Sequence, residues 1–207
     1  LHNKITEIQI NYYKKEEMMR YVYGRQFNLF STCLRKKEDC KQYESSLFSF
    51  LKYLINDKIK SGKIHEYYKN YNYNYELDED KYICLMENIK KFLHDFLDKN
   101  NLNFEEIYRQ NIIREKYREK FKGLFTYRLG NPNFDDIEKC LLNWYSFLTG
   151  YPPMAQTILL CNEGTSCEQI TSFMYRAFLC QYPVLFFIGK IDYLTQEKKE
   201  TFINLIN

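Results

Sequence analysis

The chain is poor in residues that break or staple structure. It contains 7 Gly and 4 Pro in 207 residues, which excludes collagen-like and linker-dominated sequence. Only three histidines are present, His2, His65 and His94, and the seven cysteines, Cys33, Cys40, Cys84, Cys140, Cys161, Cys167 and Cys180, form no C-x-x-C pair. No zinc-ligand spacing results, so no metal site is expected. An odd, scattered set of thiols in a chain large enough to do without staples points to reduced cysteines in a cytoplasmic or nuclear compartment. An excess of one charge is also missing. Lys and Arg (30) nearly balance Asp and Glu (27), leaving +3, which argues against an obligate nucleic-acid or membrane-surface protein. The longest uncharged stretch, Cys140 to Asn162, is interrupted by Gly150-Tyr151-Pro152-Pro153. It reads as helix, turn and strand rather than a membrane span.

Apolar and aromatic residues are plentiful. Hydrophobic residues make up 45% and aromatics 18%, as 20 Tyr, 16 Phe and a single Trp, which is incompatible with wholesale disorder. The length allows one domain or two small ones. The chain starts at Leu1 rather than Met and is expected to be a piece of something longer. Heavy use of Lys, Asn, Ile, Tyr and Phe has the look of an AT-rich genome, so tyrosine enrichment alone does not argue for stacking chemistry.

Periodicity predicts a helix-rich α/β fold. A helical region over 1–130 is followed, over 131–207, by a helix and a βαβα unit with short parallel strands. Met19, Tyr23, Phe27, Phe30 and Leu34 predict a helix over Lys14–Lys37, weakened or kinked at Gly24. Leu47 to Ile55, after Ser45-Ser46, predict a deeply buried helix ended by Ser61-Gly62. Tyr67 to Tyr75 alternate Tyr and Asn and read as a polar loop. Asp78-Glu79-Asp80 places negative charge at a helix start, followed by the stripe Ile83, Met86, Ile89, Leu93, Phe96 and Leu97. Asn103-Phe104-Glu105-Glu106 has capping-box form and opens a helix to about Asn111. Arg109, Arg114, Lys116, Arg118, Lys120 and Lys122, against Glu115 and Glu119, read as a solvated helix face. Gly123 to Tyr127 reads as a strand or linker. Ile137, Leu141, Trp144, Tyr145 and Leu148 predict a helix closed by Gly150.

In the last quarter, Thr157–Cys161 and Val184–Ile188 are apolar runs separated by a helix that a Thr165-Ser166-Cys167-Glu168 capping box opens. Such a strand, helix and strand imply a parallel pair covered on both faces, with a final helix over Thr195–Ile206. Open parallel sheets bind ligands at the carboxyl ends of their strands, so Asn162-Glu163-Gly164-Thr165-Ser166 stands where a phosphate loop would. A phosphate loop needs G-x-x-x-x-G-K-[ST]; here there is one glycine, no lysine, and Glu163 would repel the ligand. After the second strand, Asp192 could stand where a metal-holding acid does, but Tyr193 occupies the position of the usual glutamate. Cys161 or Cys167 could be nucleophiles, but no histidine lies in this half of the chain. Every Asp and Glu sits in a solvated helical pattern. No catalytic, cofactor-binding or metal-binding residue is assigned.

Tyr21-Val22-Tyr23-Gly24-Arg25-Gln26-Phe27 and Phe50-Leu51-Lys52-Tyr53-Leu54-Ile55-Asn56-Asp57 are joined by a second group of strings. These are Pro153 to Asn162, Thr165-Ser166, Phe173-Met174-Tyr175-Arg176-Ala177 and Ile191-Asp192-Tyr193-Leu194. On these strings the chain resembles the mysterin family, giant dynein-like AAA+ ATPases that are also ubiquitin ligases, at the segment entering the ATPase core. The resemblance implies a parent with several AAA modules, some active and some degenerate, that uses ATP and magnesium and has a zinc-containing ligase region. It carries no Walker lysine, arginine finger or zinc cluster onto a residue here, so no cofactor is expected in this chain itself. Its expected partners are neighbouring modules of the same polypeptide. Three readings compete: a non-catalytic scaffold; an ATP-binding module with an unorthodox loop at Gly164–Ser166; and an RNA-binding module using Tyr71, Tyr73 and Tyr75 with the Arg114–Lys122 segment.

Overall fold

The computed structural model describes residues 2–35, 41–55, 59–71, 81–124 and 134–206. It is helix-rich, with one small parallel sheet late in the chain, as the hydrophobic pattern predicts. The chain divides into two compact units, one of 1–103 with Thr171–Leu179, the other of 104–170 with 180–207. The expected boundary near residue 130 lies outside the described residues.

The first unit contains α1 (His2–Lys15), α2 (Gly24–Arg35), α3 (Lys41–Ile55), α4 (Ser61–Asn70) and α5 (Lys81–Lys99). The single helix expected over Lys14–Lys37 is instead two, separated by a tight 3-10 turn over Glu17–Tyr21. Met18, Met19, Arg20 and Tyr21 are buried in succession, and one α-helical stripe cannot bury four consecutive residues. Gly24, at φ 23°, starts α2 rather than kinking it. Ser61-Gly62 begins α4 rather than ending the preceding helix. The expected polar loop from Tyr67 is helical through Asn70, with Tyr67, Tyr68 and Tyr71 buried; its remainder, 72–75, lies outside the described residues, as does Asp78–Asp80. The Tyr68 hydroxyl donates to the Cys33 carbonyl and the Tyr67 hydroxyl to that of Phe92. A run of ring contacts, Phe50 to Phe30, Phe30 to Phe92 and Phe92 to Tyr71, crosses the core. Along α5 the expected stripe is buried except for Ile83, while Leu85 and Phe92 join it.

Thr171–Leu179 adds a polar knot to this apolar core. Arg20 and Arg176 are both buried. Arg20 donates to the Tyr13 and Leu179 carbonyls, Arg176 to the Arg20 carbonyl, and Ser172 also bonds that carbonyl. The Arg176 guanidinium lies 4.7 Å from the Tyr21 ring centroid and 5.4 Å from that of Phe173. Aromatic faces and carbonyls thus replace part of the lost hydration.

The second unit contains α6 (Phe104–Tyr108), α7 (Glu115–Arg118), α8 (Phe134–Leu148), β1 (Ile158–Leu160), β2 (Phe187–Gly189) and α10 (Gln196–Ile206). It also holds the first turn of α9 (Cys167–Leu179). The basic stretch is not one helix. A 3-10 turn ends at Asn111, and Ile112 then bridges Val184 antiparallel, with Ile113 donating to the Pro183 carbonyl. Gly123 and Leu124 are exposed coil, and 125–127 lie outside the described residues. α8 ends as expected at Gly150, φ 87°, whose N–H returns to the Ser146 carbonyl at 3.1 Å. β1 and β2 pair parallel with Leu159 opposite Ile188 and Leu160 opposite Gly189. Their side chains are mostly half-buried and Leu160 is exposed; since neighbouring strand residues face opposite sides, each face of the pair is covered only in part, less than expected.

Candidate functional site

Because β1 and β2 run parallel and in register to Leu160 and Gly189, their carboxyl ends lie side by side. The segments leaving them, Cys161–Ser166 and Lys190–Tyr193, form the candidate site. A buried network fixes the approach to β1. Asn111, fully buried, accepts at Oδ1 from the Met154 N–H (2.7 Å) and the Thr157 hydroxyl (2.8 Å), and donates from Nδ2 to the Pro152 carbonyl. The Tyr145 hydroxyl from α8 lies 3.0 Å from the Thr157 carbonyl and 2.8 Å from that of Leu185. Burial raises the Tyr145 phenol above its ordinary value, partly opposed by the Thr157 contact, so it stays a neutral donor tying both strand approaches to one helix.

The loop after β1 closes on itself. Asn162 Oδ1 accepts from the Gly164 N–H at 2.8 Å, a local Asx turn. The Asn162 N–H donates to Thr165 Oγ1 at 2.9 Å, and the Thr165 N–H returns to the Asn162 carbonyl at 3.0 Å. Ser166 is the N-cap of α9: its Oγ accepts from the Gln169 N–H (3.1 Å), while Gln169 Oε1 accepts from the Ser166 N–H (2.8 Å). The box is therefore Ser166 with Gln169, not Thr165 with Glu168. Thr165 is buried and committed to Asn162, which removes it from the capping position. Lys198 of α10 donates to the Glu163 carbonyl at 2.7 Å. No local spacing marks this cation, which reaches the loop from 35 residues away.

Asp192 and Tyr193 are exposed beyond a left-handed Lys190 (φ 58°). Cys161 is buried, its N–H bonded to the Gly189 carbonyl, and burial pushes its thiol up to about 11. That is the opposite of nucleophile activation. Cys167 is half-buried, with the Thr201 hydroxyl 3.6 Å from its sulfur. Tyr71, the one described tyrosine of the three considered for RNA, is buried in the first unit with its ring against Phe92; Tyr73 and Tyr75 lie outside the described residues. The chain matches no known protein family, no characterised protein and no solved structure. Among the described residues, no group of three or more His, Cys, Asp or Glu is placed to hold a metal ion, and no helix is long and apolar enough to cross a membrane.

Proposed function

We propose that the chain is a non-catalytic scaffold segment, a degenerate AAA-like module of a giant AAA+ ATPase and ubiquitin ligase of the mysterin kind, acting in the cytoplasm. Its surfaces pack against neighbouring modules of that polypeptide. The observation that carries the reading is the loop after β1. Phosphate binding at a strand-to-helix crossover uses unengaged amides and a lysine. Here the amides of Asn162, Gly164, Ser166 and Gln169 already bond side chains of the loop and first helical turn. These residues do not fit a triphosphate. The family strings, including Pro153 to Asn162, support the choice of parent. Calorimetric titration of the chain with ATP and magnesium tests the reading, with no saturable heat expected; tight binding refutes it. For the parent, reading the gene beyond Asn207 should reveal G-x-x-x-x-G-K-[ST] and a Cys/His ligand cluster.

A second reading, an ATP-binding module with an unorthodox loop, is favoured by one observation, the placement of Lys198 at Glu163. Its ammonium is directed at a backbone carbonyl, which suits a clamp between α10 and the loop. Under the ATP reading, Lys198→Ala abolishes nucleotide binding; under the scaffold reading there is no binding to abolish.

A further inference from the structure

The second unit carries a surface apart from the loop on which the scaffold reading rests. Tyr117 and Phe121, at the end of the basic stretch, meet Trp144 and Phe147 of α8 in a closed circuit of rings. Centroids are 4.6 Å apart for Tyr117 and Phe147, 5.8 Å for Phe121 and Trp144, 6.3 Å for Tyr117 and Phe121, and 6.4 Å for Trp144 and Phe147. None of the four is buried, and Phe147 is 49% exposed. Lys116 and Lys120 stand over these rings, and the same stretch adds Arg114, Arg118 and Lys122, all five exposed, against Glu115 and Glu119. An aromatic centre with a charged rim is the composition of a recognition surface, where aromatic anchors contribute most of the affinity and rim charges select the partner.

We propose that this ring of aromatics with its lysine and arginine rim is a docking surface for an acidic peptide segment bearing an aromatic or aliphatic anchor. Charge complementarity selects an acidic partner. Ring geometry selects a peptide over a nucleic acid. Stacked bases need open ring faces, but Lys116 Nζ stands 4.7 Å over the Tyr117 ring, Lys120 Nζ stands 5.7 Å over that of Phe121, and three of the four ring contacts are edge-on. Ammonium groups above the rings can pair with carboxylates while the half-exposed Phe147 meets the anchor.

Trp144 is the only tryptophan in the chain, so its fluorescence reports occupancy directly. The titrant is a synthetic amphipathic peptide with Glu on one face and Leu and Phe on the other. Saturable change in Trp144 emission is expected, weakened by salt. Phe147→Ala should weaken binding at least about tenfold, the loss typical of a central aromatic anchor. The double variant Lys116→Glu, Lys120→Glu, at exposed positions that leave the thermal melt in place, should weaken it comparably. The proposal is overturned by no saturable change, by equal binding of polyglutamate without anchors, or by insensitivity to both variants. Tighter binding of oligouridine or of phosphatidylserine vesicles than of the peptide also overturns it.

Discussion

At the scale of single residues, the positions that matter most are polar and buried. Asn111 serves two donors and one acceptor with one amide. Asn111→Ala strands the buried Met154 N–H in the interior, where an unsatisfied group costs about 1–3 kcal/mol. A loss of about 3 kcal/mol in urea unfolding is expected; a loss no larger than that of a surface substitution would contradict the network. Cys161 carries the opposite lesson. Its thiol is buried and held protonated, with its ionisation pushed up to about 11. Mass spectrometry after native alkylation should find Cys161 unmodified while half-buried Cys167 reacts, and unfolding should make the two alike. Neither role was legible in the sequence. An Asn between basic residues and a Cys at the end of an apolar run look ordinary until the chain brings Pro152 and Gly189 to them.

At the scale of elements, hydrophobic spacing identified most helices, and its failures have physical causes. The strand, helix and strand of the last quarter were legible because two apolar runs flank a capping motif. The cap was misplaced by one residue because Thr165-x-x-Glu168 and Ser166-x-x-Gln169 both suit a capping box; only the capture of Thr165 by Asn162 decides between them. Ser166→Ala should therefore cost about 1 kcal/mol as lost capping. Thr165→Ala should cost a similar amount, about 1 kcal/mol, by freeing the Asn162 N–H. In far-UV melts the two effects should be separable from Glu168→Ala, which leaves the cap in place. The helical character of α4 is obscured because its end runs into the alternating Asn70–Tyr75, although Ile64, Tyr67, Tyr68 and Tyr71 have helical spacing and are all buried. The basic residues of 109–122 read as a solvated helix face because charges show no period; Asn111 interrupts the segment by turning into the buried network.

At the scale of the whole molecule, several groups titrate in the same direction. Burial raises the phenols of Tyr67 and Tyr145 above 10.0 and the Cys161 thiol above 9.0. Lys90 is raised by its hydrogen bond to Glu16, 2.9 Å away. Each group holds its proton more tightly folded than unfolded. Between the ordinary and raised values the unfolded chain binds fewer protons, so stability falls as pH rises. Melting temperature should decline steadily from pH 9 into the alkaline range, because the thiol begins to titrate at 9.0 and the phenols near 10.0. A flat profile would mean these groups are not sheltered. The same shelter bears on function, since polar groups near the sheet are engaged by the protein itself.

That engagement is tested most directly by amide hydrogen exchange at Asn162, Gly164, Ser166 and Gln169, followed by NMR with and without ATP and magnesium. Protection should already be present without ligand and unchanged by nucleotide, because these N–H groups bond Thr165, Asn162, Gln169 and Ser166. Rapid exchange that becomes protected only when ATP and magnesium are added would contradict the account.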